Sequence, residues 1–197
     1  QNEPVGDCRY SDITVFSFHA VKIITTGEGG MALTNNPDLY KVMNRLRSHG
    51  ITRNKKEMVF KQKGPWYYEQ QNLGFNYRIT DIQAALGLSQ LKRINQFVKK
   101  IKNISNYYDE NLNNLHLKKQ LLPENTYSSK HLYIIQVESN IHLKLFNYLI
   151  NNNIGVNLHY IPLHLHPYYR DLGFNEGDYP ESENHGDKAI SLPIYSD

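Results

Sequence analysis

Cysteine is almost missing from this chain: among 197 residues only Cys8 carries a thiol, which excludes an internal disulfide and with it the disulfide-stapled secreted domains. No apolar run approaches the roughly 18 residues of a membrane-spanning helix. No signal peptide opens the sequence, so a reducing cytoplasm is the expected location. A leading methionine is lacking too. The first residue is Gln1, and the expectation is a chain that starts inside a longer protein or has been processed. Charge of one sign is scarce, with 22 Lys and Arg against 19 Asp and Glu and a net charge of +3. The lysine pairs at 55/56, 99/100 and 118/119 lie far apart and form no basic stripe, which argues against nucleic acid as a partner. The stretch Gly27-Glu28-Gly29-Gly30 lacks the Gly-Lys-Ser/Thr ending of a P-loop and reads as a tight turn. His159, His164, His166 and His185 have no nearby cysteine and no His-Glu-x-x-His spacing, so no metal site is expected.

What remains is the composition of a folded protein. Hydrophobic residues make up 40% and aromatics 12%, enough apolar surface to offset the entropy of ordering the chain. Residues 12–18 are β-branched and aromatic and read as a strand; residues 31–34 read as a second. Asn36-Pro37-Asp38 is a helix start, and Leu39, Val42, Met43 and Leu46 follow at helical spacing up to Gly50, which is expected to end the helix. Residues 51–75 show no period and predict a long irregular loop of functional or interface character. Thr80-Asp81-Ile82-Gln83 is a capping box, followed by a long, bent helical pattern through Leu112. Beyond Pro123 the patterns predict a strand at 131–137, a helix at 141–150, a strand at 156–160 and short helices at 162–173 and 180–190. Two packed regions are expected, dividing near residue 120: residues 1–120 and 121–197.

The segment richest in chemistry is Ser17-Phe18-His19-Ala20-Val21-Lys22. A strand that ends in Ser, with Lys five residues on, sets a hydroxyl and an amine on one rim of a sheet. Such an amine can form a Schiff base with an aldehyde cofactor while the hydroxyl binds its phosphate; it can equally be a surface lysine after a strand. Arg78 is open between an anion contact and a loop anchor. Trp66, Tyr67 and Tyr68 are open between an interface or sugar-contacting patch and ordinary loop packing.

Residues 17–30, Ser-Phe-His-Ala-Val-Lys-Ile-Ile-Thr-Thr-Gly-Glu-Gly-Gly, resemble the cofactor-lysine segment of the DegT/DnrJ/EryC1/StrS family of pyridoxal-phosphate sugar aminotransferases. Residues 47–52, 73–87 and 156–162 resemble the same family in the same order, so the likeness runs through essentially the whole chain. The Ser-Phe-His-Ala-x-Lys form and the stretch Gly64 to Gln71 resemble most the branch acting in pseudaminic acid biosynthesis. The resemblance implies an α/β fold of the fold-type-I, aspartate-aminotransferase-like class. Residues 1–120 would then be the end of the large cofactor-binding domain with a long connecting helix, and 121–197 an incomplete small C-terminal α+β domain. It implies Lys22 as the Schiff-base lysine and proton-moving base, Ser17 on the cofactor phosphate, and Asn76 reaching the phosphate of a neighbouring subunit's cofactor in a homodimer. His159, Tyr160, Ile161 and Pro162 would line the nucleotide-sugar pocket. The implied reaction is amination at C4 of a UDP-linked 4-keto-6-deoxy-N-acetylhexosamine, with L-glutamate as donor. Relatives acting as sugar dehydratases carry His where Lys22 stands, which favours transamination. The family's ring-nitrogen aspartate would precede Gln1, and Asp7 and Asp12 do not match it. A catalytically incomplete fragment, a dimerisation or binding module of such an enzyme, or a related pyridoxal-phosphate-dependent nucleotide-sugar enzyme is the alternative.

Overall fold

Thr14–Ser17 and Gly30–Leu33 pair antiparallel as β1 and β2, with Ser17 opposite Gly30 at the open end. A side chain at Gly30 would stand 2.8 Å from the carbonyl oxygen of Phe16, so only glycine lets the strands approach there. The computed structural model describes residues 3–196, and contacts divide the chain into two compact units, one ending at Arg93 and the other beginning at Ile94.

In the first unit, α1 (Pro37–Leu46) starts as expected: the Asn36 side chain accepts from the backbone N–H of Asp38 and Leu39, and Pro37 fills the first turn. It ends before Gly50. Arg47 is its cap, and His49 and Gly50 then take left-handed φ values of 62° and 69°, turning the chain back so that Gly50 N–H bonds to Arg45 O. The expected irregular stretch from residue 51 is tied shut at its base by two short strands, β3 (Ile51–Thr52) and β4 (Glu69–Gln70), which pair antiparallel. Sequence period cannot reveal strands of two residues. Helix α2 (Asp81–Leu91) carries the capping box in full: Thr80 Oγ accepts from Gln83 N–H and Gln83 Oε1 accepts from Thr80 N–H.

The long helical pattern is interrupted once, at Lys92 and Arg93, and resumes as α3 (Ile94–Asn111), which belongs to the second unit. There β5 (Lys118–Lys119), β6 (Tyr133–Gln136) and a further strand β7 (Ala189–Leu192) form an antiparallel sheet in the order β5-β6-β7. The expected strand at 156–160 is not one. It contributes a single bridge, Asn157 to Ser191, on the free side of β7. The expected helix at 180–190 is α6 (Pro180–Gly186) alone, and its last residues open β7 instead. Helix α4 (Ser139–Asn151), a 3-10 turn at Leu163–Leu165 and α5 (Pro167–Asp171) complete the unit. Its core joins Tyr133, Ile135, Val137, Val156 and Ile190, with Leu145, Phe146 and Leu149 of α4 packed on them. This clustering is where apolar burial stabilises the chain.

The two units differ in what they bury. Among the described residues every buried hydrophobic side chain belongs to the second unit, whereas the buried side chains of the first are Thr26, Thr52 and Glu69. The first unit is held mainly by polar contacts and leaves apolar side chains such as Leu73 and Ile82 bare, at 90% and 85% exposure.

Candidate active site

Lys22 lies on the loop that leaves β1. Its backbone N–H bonds to His19 O at 3.0 Å, closing a turn, and Thr26 N–H returns to Phe18 O at 2.9 Å. Thr25 Oγ also donates to Phe18 O at 3.1 Å, so one carbonyl closes the loop through two adjacent donors. The far side is fixed by α2: Gln83 Nε2 donates to Glu28 O at 2.9 Å, and Thr26 Oγ donates to the same carbonyl at 2.8 Å. A side chain at Gly87 would come within 2.8 Å of the Thr26 methyl, which shows how closely the helix lies on this loop. One residue, Gln83, thus caps α2 and anchors the lysine loop.

The two side chains expected to meet the cofactor here, Lys22 and Ser17, are left uncommitted. The half-buried Lys22 has no hydrogen bond or ion pair on its amine among the described residues. Ser17, exposed at the end of β1, only accepts, weakly, from His19 N–H at 3.4 Å, which leaves its O–H proton uncommitted. His19 pairs with Glu28 at 3.5 Å, so the carboxylate of this loop faces His19 and not the lysine.

Asn76 stands on a different segment of the same unit. Phe75 N–H bonds to Leu46 O at 2.7 Å, Tyr77 N–H to Arg47 O at 2.9 Å, and His49 N–H to Phe75 O at 2.8 Å, hanging this segment from the end of α1. The Phe75 and Tyr77 rings stack at 4.8 Å, and the exposed Asn76 carboxamide has no partner among the described residues. Gly50 and Gly74 make the crossing possible, because side chains there would collide with Asn72 O at 1.8 Å and Gly50 N at 2.2 Å. Arg78 is exposed and makes no hydrogen bond or ion pair among the described residues.

Residues missed by the sequence reading organise the stretch between β3 and β4. Glu69, 9% exposed, accepts from Val59 N–H (2.7 Å), Phe60 N–H (2.8 Å) and Tyr67 O–H (3.2 Å). Burial works against its charge, but these donors outweigh it and hold the carboxyl below its ordinary pKa. The Thr52 hydroxyl, opposed by burial and helped by Asn54 and Arg45, does the same for Glu57, whose Oε2 lies 2.8 Å from Arg45 Nη2. The one available signal was two acids in a basic, aromatic stretch. Both carboxylates border a cleft of about 640 Å³ that includes none of the expected cofactor residues. Tyr67 is used in this packing, the Arg53 guanidinium sits 5.4 Å over the Tyr68 ring, and Trp66 remains exposed.

In the second unit, residues 159–162 have a pinned backbone, and Tyr160 and Ile161 keep exposed side chains. His159 Nδ1 is 2.7 Å from Ser191 Oγ, and the His159 carbonyl accepts from His185 Nε2 at 3.2 Å. Pro162 is buried against Gly186, whose missing side chain would stand 2.9 Å from Pro162 Cδ. Tyr160 and Ile161 are 66% and 53% exposed. Next to them His164 Nε2 lies 2.6 Å from Glu183 Oε1; the hydrogen bond from His164, against burial, and the backbone N–H groups of Gly177 and Tyr179 lower the Glu183 pKa.

Residues 1–197 match the DegT/DnrJ/EryC1/StrS aminotransferase family. The UDP-4-amino-4,6-dideoxy-N-acetyl-beta-L-altrosamine transaminase of Campylobacter jejuni is 32% identical over 201 residues, covering 100% of this chain and 50% of that protein. The structure of Helicobacter pylori PseC, an aminotransferase involved in the biosynthesis of pseudoaminic acid, superposes with a TM-score of 0.87 at 33% identity over 100% of this chain and 51% of the other. The sugar aminotransferase Spr1654 of Streptococcus pneumoniae, in its PLP form, gives 0.86 at 33% identity, over 98% and 49%. The fold is therefore the expected α/β fold of the fold-type-I transferases, and the chain spans about half the length of the curated relatives it matches. No helix among the described residues is long and apolar enough to cross a membrane.

Proposed function

From the chain's membership of the DegT/DnrJ/EryC1/StrS aminotransferase family, we propose that it forms the lysine-bearing part of a pyridoxal-phosphate-dependent nucleotide-sugar aminotransferase. The substrate is a UDP-linked 4-keto-6-deoxy-N-acetylhexosamine aminated at C4, the donor is L-glutamate, and the enzyme is a cytoplasmic homodimer with shared active sites. The observation that carries this reading is the free amine of Lys22 on a loop whose backbone is fixed from both sides.

The residues present fit the cofactor. An aldehyde phosphate requires an amine with no standing ion pair and uncharged donors for its phosphate, and Lys22, Ser17 and Asn76 are such groups. When bound, pyridoxal phosphate supplies an aldehyde for the amine and a conjugated ring that takes up the electrons left when a neighbouring carbon loses its proton. Ser17 Oγ would donate a hydrogen bond to the phosphate. The Asn76 carboxamide offers a donor to the phosphate held by the other subunit. Lys22 Nζ would hold the cofactor and would serve as the base that takes the proton from the amine-bearing carbon. Tyr160, beside His159 and Ile161, contacts the sugar nucleotide from a loop closed by Pro162.

In the holoenzyme, pyridoxal phosphate should give a visible absorbance band, and borohydride reduction should fix it to Lys22 in a peptide map. Lys22→Ala should abolish both the band and amino transfer from L-glutamate. Retained turnover in that variant would remove Lys22 as the base and with it this function.

A further inference from the structure

The backbone of the Tyr160 loop is held by a relay that the chemistry does not account for. Gln136, the last residue of β6, places its side-chain Nε2 2.9 Å from His185 Nδ1, and His185 Nε2 lies 3.2 Å from the His159 carbonyl oxygen. A carbonyl only accepts, so Nε2 carries the proton, Nδ1 offers its lone pair, and the Gln136 amide donates to it. His185 is thereby oriented with both ring nitrogens used. Its neighbour Gly186 leaves the space that Pro162 fills. On the other side, the backbone groups of Asn157 and Ser191 exchange hydrogen bonds at 2.8 and 3.2 Å, and Ser191 Oγ meets the His159 ring. Every restraint falls on residues 157, 159 and 162, while Tyr160 and Ile161 between them stay more than half exposed. A loop with fixed backbone and bare side chains is preorganised to meet a ligand.

We propose that His185, oriented by Gln136, is a positioning residue for the sugar-nucleotide half of the reaction: by fixing the His159 carbonyl it sets where Tyr160 and Ile161 stand toward the substrate. This rests on the function proposed above. His185 and Gln136 belong to the second unit and Lys22 to the first, so the two half-reactions separate its effect from the chemistry.

The test is made on the holoenzyme. His185→Leu should raise the KM for the keto-sugar nucleotide about tenfold, the consequence of losing both ring hydrogen bonds and leaving two half-buried partners unpaired. The half-reaction with L-glutamate, followed as loss of the visible band, should stay within twofold. Calorimetric binding of UDP-N-acetylglucosamine should weaken by the same factor, a readout independent of turnover. His185→Gln, which keeps a donor and an acceptor, should recover most of the affinity. If His185→Leu does not accumulate folded, Gln136→Leu, which frees the ring to turn, is read by the same criteria. Equal loss in both half-reactions, or unchanged KM and binding, would overturn the proposal. Failure of the unaltered holoenzyme to carry out either half-reaction would instead count against the proposed function.

Discussion

Gly50→Ala exposes the mechanical basis of the Asn76 segment. Gly50 has φ of 69°, and an added Cβ would lie 1.8 Å from Asn72 O and 2.6 Å from its carbonyl carbon. Alanine at that φ costs about 1 kcal/mol from backbone strain alone. The collision adds to it, because the Asn72 carbonyl must retreat by more than 1 Å. That retreat stretches the bonds from Gln71 N–H and Asn72 N–H to Gly50 O, at 2.8 and 3.3 Å, each worth about 1 kcal/mol. The total is about 3 kcal/mol, which for a protein of this size lowers Tm by about 6–12 °C. Gly155→Ala is the control, since nothing lies within 4 Å of its added carbon and its φ is ordinary; it should fall within about 0.5 kcal/mol of the unaltered protein. Thermal and urea denaturation of both variants measure the difference. A Gly50→Ala protein within 1 kcal/mol of the Gly155→Ala control would refute the close crossing of residues 50 and 72, and with it the account of how Asn76 is held.

Two further outcomes follow from burial and charge. Glu57, Glu69 and Glu183 all titrate below the ordinary 4.5 in the folded protein, so their contribution is complete above that pH and is lost as pH falls through the lower folded values. Denaturation midpoints measured from pH 6 down to about 3 should therefore drop steeply at the acid end, and Glu69→Gln should flatten the drop; an unchanged slope in that variant would deny Glu69 its anchoring role. Ile190, fully buried in the core of the second unit, should lose about 2–5 kcal/mol on replacement by Ala in the same measurement, far more than any exposed leucine.

Elements with a local chemical signature were legible in the sequence. Asn36-Pro37 and the Thr80/Gln83 box mark helix starts through side-chain hydrogen bonds made within three residues, and both appear as read. Strand β7 escaped because Ala189, Ile190 and Ser191 are all buried, so the alternation that marks a half-buried strand is absent. Val156 to Tyr160 erred the other way: its apolar residues suggest a strand, but one bridged pair is all that β7 accepts from it. Ser17 and Lys22 could be singled out because hydroxyl and amine sit on one short segment. Glu69, His185 and Gln136 could not, since, apart from the contacts of Glu69 with Tyr67 and Gln71, their partners lie 9 to 49 positions away and no spacing rule connects them.

The candidate residues share one arrangement, reached by different means. Around Lys22 the backbone is fixed by Thr25, Thr26 and Gln83, around Asn76 by the carbonyls of Leu46 and Arg47, and around Tyr160 by His185 and Ser191. In each case the side chain expected to meet a ligand makes no hydrogen bond of its own, while its immediate neighbours carry the restraint. Binding then need not break an existing contact, and little loop freedom remains to be lost when the ligand arrives. The restraint in the first unit is polar because that unit buries no hydrophobic side chain among the described residues, so hydrogen bonds perform there what the β6–β7 core performs in the second. It follows that replacing the ligand-facing groups should change chemistry with little change in Tm, whereas replacing Gln83 should change both, because that side chain holds the backbone of the Lys22 loop.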